Sequence, residues 1–349
     1  MRLMFVYYCY NDAGSAQDLH NYVRVARELG HEVAIYGADP ESLFKLSQDV
    51  ASADAIVFIF EWTTQLRYGD RLDLARMVAS VPRRRRVVID CDGGYNDAIS
   101  AGGDYNHKNT EASCRWMEVC ESLSDKLCQP TLHPLQPNVR PFFFHAYNPA
   151  WEVPLDLSGK DYGMVYVGHS KFRWGPMKRV LRAIEPVRPL VGRIGFVGHG
   201  WGQMPWWATQ MKIEDHFYTD QAYLHQMEVE FIQPVPYQEV ISWMSKGVFS
   251  PVIYRPLFDH LRLVTCRTFE TPAANTIPLF GLDDNYVREI YGEYALELIL
   301  PQEHPEDKII DFVKRPDRYT KIIRGIRKHL AGQHSYPARL RQLIEIVES

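Results

Sequence analysis

The chain has 349 residues, 46% hydrophobic and 23% charged, with a formal net charge of −4. That length accommodates two ordinary α/β domains, each with its own core. The composition is that of a soluble globular protein, and the slight acidity argues against indiscriminate nucleic-acid binding while leaving local basic patches open. No apolar run approaches a membrane span. The start MRLMFVYYCY reads as a strand rather than a signal peptide, having one basic residue and no small-residue cleavage site. Six cysteines at irregular spacings, without a zinc pattern, read as reduced thiols of a cytoplasmic protein.

The apolar run over 3–8 predicts a buried parallel strand. A polar loop comes next, then a helix with Leu19, Tyr22, Val23, Ala26 and Leu29 on one face, closed by Gly30. A second strand over 31–37 completes a β-loop-α-β start, the opening of a doubly wound domain. No G-x-G-x-x-G is present, so a dinucleotide cofactor is not indicated. Ligands in such sheets sit beyond the carboxyl ends of strands. Asn11, Asp12, Gly14 and Ser15 therefore border a cleft, or form an ordinary βα connection.

A short helix over 41–50, a strand over 54–60, a loop over 61–70 and a helix over 72–81 come next. Four arginines, Arg83 to Arg86, precede a strand over 87–89 and read as a solvated basic edge at its amino end. That strand runs into Asp90-Cys91-Asp92-Gly93-Gly94. Carboxylates beyond a strand's carboxyl end, succeeded by glycines, can be presented bare to a cleft. Asp92 has the placement of a base for an acceptor hydroxyl, with Asp90 beside it; the alternative is that one of them caps the next turn. The polar stretch 102–109, containing His107, reads as a loop reaching over the cleft. A helix over 111–123, strands over 126–129 and 141–145, and a polar linker over 152–160 close the first half.

A buried strand over 162–167 opens the second half and leads to Gly168-His169-Ser170-Lys171-Phe172-Arg173. A glycine turn carrying Lys171 and Arg173 before a helix that bears Lys178 suits a pyrophosphate, or is a solvated basic helix start. After a strand over 193–197, the Trp-rich stretch from Trp201 to Trp207 reads as packing between domains, with aromatic stacking on an acceptor as the alternative. Beyond it lie a strand over 230–232, a helix over 239–244 and a strand over 248–254. The stretch 263–284 contains R-T-F-E-T-P-A-A. Proline is tolerated in a helix's first turn, so Pro272 sets a helix starting near Thr268, which caps it. The helix ends before Asn275 and leads into a strand over 276–280. Arg267 and Glu270 then lie at a helix N-terminus, where orphan N–H groups favour anions. Glu270 suits ribose hydroxyls and Arg267 a phosphate, the alternative being an Arg–Glu pair on a surface helix. Helices over 309–313, 318–331 and 337–347 complete the chain.

The R-T-F-E-x-x-A signature with a strand and an acidic loop after it resembles the donor site of GT-B glycosyltransferases, in particular the spore-maturation-protein-like group and the phage DNA β-glucosyltransferases. The likeness is clearest over 161–284. It implies an α/β architecture of two Rossmann-like domains facing across a cleft: an acceptor domain over 1–155, a donor domain over 156–325, and a C-terminal helix within 326–349 packing back on the first domain. It implies transfer of a sugar from a nucleoside diphosphate, UDP foremost, to a small-molecule, glycan or modified-DNA acceptor. Asp92 matches the catalytic aspartate of the phage enzymes in its position after the fourth strand. Arg173, or next Lys178, would neutralise the leaving diphosphate, and the loop holding Val235 and Tyr237 would hold the nucleobase. Many retaining relatives carry a second glutamate eight positions before the donor-site one, where this chain has Arg262. That points to inversion, with Arg262 joining the charge set. No Asp-x-Asp stands at a strand end of the donor domain, so no metal is required. A nucleotide-sugar 2-epimerase on the same fold and a non-catalytic nucleotide-binding module are the rival readings.

Overall fold

The computed structural model describes residues 1–7, 14–37, 42–61, 79–97 and 110–349. Largely continuous apolar runs build a first sheet from β1 (Arg2–Val6), β2 (Glu32–Tyr36), β3 (Leu46–Ser47), β4 (Ala55–Phe60), β5 (Arg86–Asp90), β6 (Leu127–Gln129) and β7 (Val139–Pro141). Its order is β3-β2-β1-β4-β5-β6-β7, with every pairing parallel. Both faces are buried, as an all-parallel sheet requires. On one face Leu3, Phe5, Val57 and Ile89 meet Leu19, Tyr22 and Ala26 of α1 (Gly14–Glu28). On the other, Met4, Val6, Phe58 and Val88 meet Cys120 and Leu123 of α2 (Thr110–Leu123).

Three expectations for this half change. The helix expected over 41–50 is replaced, among its described residues, by the short strand β3 pairing with Ile35 and Tyr36, and a 3-10 turn over Val50–Ser52. The last strand is Val139–Pro141 rather than 141–145. Phe142 and Phe144 pack against α1 instead, where Tyr22 stacks on Phe144 at 5.5 Å. One of the four arginines leaves the solvated edge: Arg86 is buried, while Arg83 stays exposed. Arg83 donates to Ser122 O at 3.2 Å and the buried Arg86 to Leu123 O at 2.9 Å, both on carbonyls left open at the end of α2. The helix expected over 72–81 falls largely outside the described residues, and the loop over 102–109 wholly so.

The second sheet holds β8 (Tyr162–Val167), β9 (Ile194–Val197), β10 (Val229–Ile232), β11 (Gly247–Val252) and β12 (Ile277–Phe280) in the parallel order β10-β9-β8-β11-β12. Its principal core combines Met164, Tyr166, Phe196, Phe249 and Leu279 with α3 (Trp174–Ile184), α4 (Cys266–Ala273), α5 (Asp284–Tyr291), α6 (Pro305–Lys314) and α7 (Thr320–Gln333).

The order of each sheet reverses beside its first strand, β1/β4 and β8/β11. Open α/β sheets hold ligands outside such switch points.

α4 starts earlier than the proline suggests. Thr265 caps it, its N–H donating to Thr268 Oγ1 at 3.0 Å, and Pro272 sits in the last turn. Arg327 from α7 makes that end tenable. Buried, it donates to Pro272 O at 2.8 Å and to Ala273 O and Ala274 O at 3.0 Å. It also reaches Val153 O at 2.9 Å, so the connection between the halves is pinned to α4 rather than slack. The last helix, α8 (Tyr336–Glu348), returns to the first sheet and buries Leu340, Leu343 and Val347 in its core. Lys126 donates to Val347 O at 2.8 Å, a cation on the C-terminal carbonyls of α8.

Candidate active site

The carboxyl ends of both sheets open on one cleft of about 510 Å³. From the first half it is lined by Ser15, Glu61, Cys91, Asp92 and His145. From the second come Gly168 to Arg173 in part, Val235, Tyr237, Arg255, Arg267 and Glu270.

β5 ends in two carboxylates with opposite fates. Asp90 turns inward, accepting from Gly94 N at 2.9 Å, Tyr95 N at 2.8 Å and Gln129 Nε2 at 2.8 Å. It anchors the glycine turn, and burial pushes its pKa up to about 6 despite those donors. Asp92, two residues on, faces the cleft with Arg255 Nη2 at 3.4 Å across the gap. Gly93 permits this turn: its φ is +71°, and a Cβ there would sit 2.4 Å from Leu261 of the other half.

The second half supplies cations. β8 delivers Gly168, whose carbonyl accepts from the buried Trp201 Nε1 at 2.7 Å. A Cβ on Gly198, at the end of β9, would fall 2.4 Å from that carbonyl, so only glycine lets the two strand ends close. Lys171 and Arg173 come next, with Arg173 at the residue before α3 and donating to Lys171 O at 3.3 Å. Enclosure, with Arg173 and the nearby His199, Arg267 and Lys171, drives the His169 imidazole well below its ordinary pKa. Arg267 and Glu270 at the start of α4 form an ion pair, buried rather than on a surface helix. Gln17 of α1 donates to the other oxygen of Glu270 at 2.5 Å. Burial disfavours charge on Arg267, yet Glu270 outweighs it and raises the guanidinium's proton affinity.

Of the residues singled out by sequence, Asp92, Arg173, Lys171, Val235, Tyr237, Arg267, Glu270 and Ser15 converge here. Others do not line the described cleft wall. Lys178 lies over the Trp174 ring at 6.0 Å, and Arg262 pairs with Asp283 at 3.1 Å. Thr268 is fully buried against Tyr254, Asp90 anchors its turn, and Gly14 opens α1. Asn11 and Asp12 lie outside the described residues. The tryptophans divide: Trp201 packs on Phe196 inside the second core rather than between domains, Trp207 lines the cleft, and Trp206 is exposed.

Sequence reasoning passed over Glu61, His145 and Arg255. Glu61 stands directly after β4 and Arg255 lies just past β11, so asking of each strand which residue comes immediately after it would have found both. His145 carries no such signal, because its place depends on the path of 142–147 back along α1.

Two parallel sheets whose carboxyl ends face one cleft, one end acidic and the other basic, define the two-Rossmann-domain architecture of GT-B glycosyltransferases. The chain has the fold of the phage DNA glucosyltransferases. The T4 phage β-glucosyltransferase in complex with UDP and Mn2+ superposes with TM-score 0.59 at 13% identity, covering 100% of both chains. The same enzyme with its UDP-glucose substrate gives 0.57 at 12%, also covering 100% of each chain. An α-glucosyltransferase in complex with UDP and a 13-mer DNA gives 0.61 at 13%, covering 100% of this chain and 99% of that one. No protein-family profile and no curated protein matches the sequence. Among the described residues no helix is long and apolar enough to cross a membrane.

Proposed function

We propose that the protein is a glycosyltransferase that moves a sugar from a nucleoside diphosphate, UDP foremost, to an acceptor hydroxyl with inversion. The observation that carries this reading is the placement of Asp92 on one wall of the cleft, opposite Lys171, Arg173 and the Arg267–Glu270 pair.

Asp92 takes the acceptor proton as the hydroxyl oxygen attacks the anomeric carbon. The glycosidic bond to the diphosphate breaks, and the negative charge it leaves meets Arg173, Lys171, Arg267 and the N–H groups opening α4. Donors placed where that charge develops contribute on the order of 3–4 kcal/mol each to lowering the barrier. Glu270 accepts from the ribose hydroxyls in place of Gln17, and the loop of Val235 and Tyr237 borders the base.

A bound Mn2+ accompanies UDP in one solved relative. Asp90 and Asp92 have metal-ligand spacing, but both Asp90 oxygens are committed to Gly94, Tyr95 and Gln129. The pair therefore does not fit a chelate, and no step here is routed through a metal.

One solved relative is a DNA-modifying enzyme and another is bound to DNA containing an HMU base, which favours a hydroxylated base as acceptor. Incubation with UDP-glucose and either hydroxymethylated DNA or a panel of small glycosides tests this. Sugar incorporation that depends on Asp92 supports the transferase reading, and its appearance on DNA alone selects that acceptor. Release of free UDP with no transfer to any acceptor overturns it in favour of hydrolysis or epimerisation. The five cysteines among the described residues are free thiols, which fits a cytoplasmic enzyme.

A further inference from the structure

The switch point of the second sheet is filled with cations suited to a diphosphate, whereas that of the first sheet carries a different set of groups. Beside it Ser15 Oγ donates to Glu61 Oε1 at 2.5 Å, and Tyr7 OH donates to Oε2 at 2.9 Å. The carboxylate is thereby fixed in orientation, and burial, with Asp92 nearby, raises its pKa.

Next to it stands His145. The chain after β7 doubles back along α1, where Tyr22 OH donates to Phe144 O at 2.9 Å. This sets His145 Nδ1 2.9 Å from Asp18 Oδ2, while Asp18 Oδ1 accepts from Tyr336 OH at 2.6 Å. The His145 side chain is only 9% exposed, yet it lines the cleft beside Glu61. With Nδ1 committed to Asp18, the other ring nitrogen, Nε2, has no hydrogen-bond partner among the described residues. A polar ring nitrogen on a cleft wall, held in place by its other nitrogen, is available to a ligand hydroxyl. Burial disfavours the imidazolium, but Asp18, then Glu61 and Glu270, outweigh it and raise the ring's pKa above its ordinary value, favouring the form that bears a proton on both nitrogens.

We propose that this is a hydroxyl-reading subsite for the sugar of the nucleotide donor, with His145 Nε2–H donating to one hydroxyl and Glu61 accepting from another. Asp18 and Tyr336 are positioning residues that fix the ring. The proposal rests on the nucleotide-sugar reading above and assigns the recognition of the sugar to the first half. A donor and an acceptor side by side match the two faces of a sugar hydroxyl. A single phosphate would instead be repelled by Glu61, Asp18 and Asp92.

Calorimetry with UDP and with UDP-glucose, UDP-galactose and UDP-N-acetylglucosamine tests it on the full chain. His145→Asn keeps a donor for Asp18 and removes the one facing the cleft. Loss of a charge-assisted hydrogen bond predicts about 10-fold or more weaker binding of the preferred UDP-sugar, with UDP affinity unchanged. Tyr336→Phe, which leaves the cleft wall intact, should shift the same ratio in the same direction by less, and it decides the matter should the His145 variant not fold. Equal losses for UDP and UDP-sugar place His145 on the diphosphate and overturn the proposal. So does an unchanged ratio, or a wild-type chain that binds UDP but none of the sugars. Failure to bind UDP at all would instead sink the nucleotide-sugar reading itself.

Discussion

The two halves share a sheet topology and differ in the charge they bring to the cleft. The first presents Glu61 and Asp92, with Asp18 behind; the second presents Lys171, Arg173, Arg255 and Arg267. The same strand-end geometry thus serves two chemistries, because the residues just past a parallel strand contribute little to the core and are left open to other demands. One contrast runs through both halves. Groups that hold the backbone have all their hydrogen bonds spoken for, as Asp90 and Arg327 do. Some groups at the gap are instead paired across it, as Asp92 with Arg255 and Gln17 with Glu270. Such pairs across a gap are the ones a ligand is built to replace.

Breaking the acidic side should have the largest effect. Asp92→Asn keeps the shape of the turn but removes the proton acceptor, and general-base loss typically costs 10²- to 10⁴-fold in turnover. Initial rates of sugar transfer should fall on that order while UDP binding holds. A variant with near wild-type kcat would take Asp92 out of the chemistry.

On the basic side, Arg173→Ala should lower kcat by about 10²- to 10³-fold, with a smaller change in donor affinity, if its charge matters most as the diphosphate departs. Equal losses in kcat and affinity would reduce it to a ground-state contact. Glu270→Ala should raise the dissociation constant for the donor about 10-fold or more, through loss of charged hydrogen bonds of about 1.5–3 kcal/mol. Because Gln17 donates to the Glu270 oxygen assigned to the ribose, Gln17→Ala should weaken donor binding far less or even tighten it. Calorimetric titration of both variants separates the two roles.

Much of the fold and site is legible in the sequence, and the reason differs by region. Continuous apolar runs such as Tyr162–Val167 admit one reading, a strand buried on both faces, and the structure agrees to the residue. The glycine loop after that strand and the R-T-F-E stretch are legible because short-range geometry governs the residues just past a strand or at the opening of a helix. The features that escape depend on partners distant in sequence. Pro272 looks like a helix start until Arg327, 55 residues on, supplies donors to the carbonyls at the other end. Phe142 and Phe144 look like strand residues until α1 offers them a face. His145 is invisible for the same cause, since only the folded path sets it against Asp18.

The joint between the halves should show the smallest effect, and it titrates in the opposite sense to His145. His334, in the turn joining α7 to α8, accepts the Tyr147 N–H through its carbonyl at 2.8 Å and stacks on Phe143 at 5.5 Å. Burial, then Arg339 and His329, push its imidazole down to about 3, and Arg339 Nη2 lies 3.2 Å from Nδ1. The folded chain therefore keeps this ring neutral where the unfolded chain, with an ordinary value of 6.5, protonates it. The stabilisation is fully present above pH 6.5 and is lost progressively as the pH falls toward 3. His145, raised by its carboxylate neighbours, contributes below its unfolded pKa and loses that contribution as the pH rises through its folded one. A one-proton difference is worth about 1.4 kcal/mol per pH unit at most, so about 1 kcal/mol should separate pH 6.5 from 5.5 through His334. Urea midpoints measured at pH 7 and 5.5 should therefore converge in His334→Gln relative to the wild-type chain. The same drop in both proteins would show that the joint holds its histidine as readily charged as neutral.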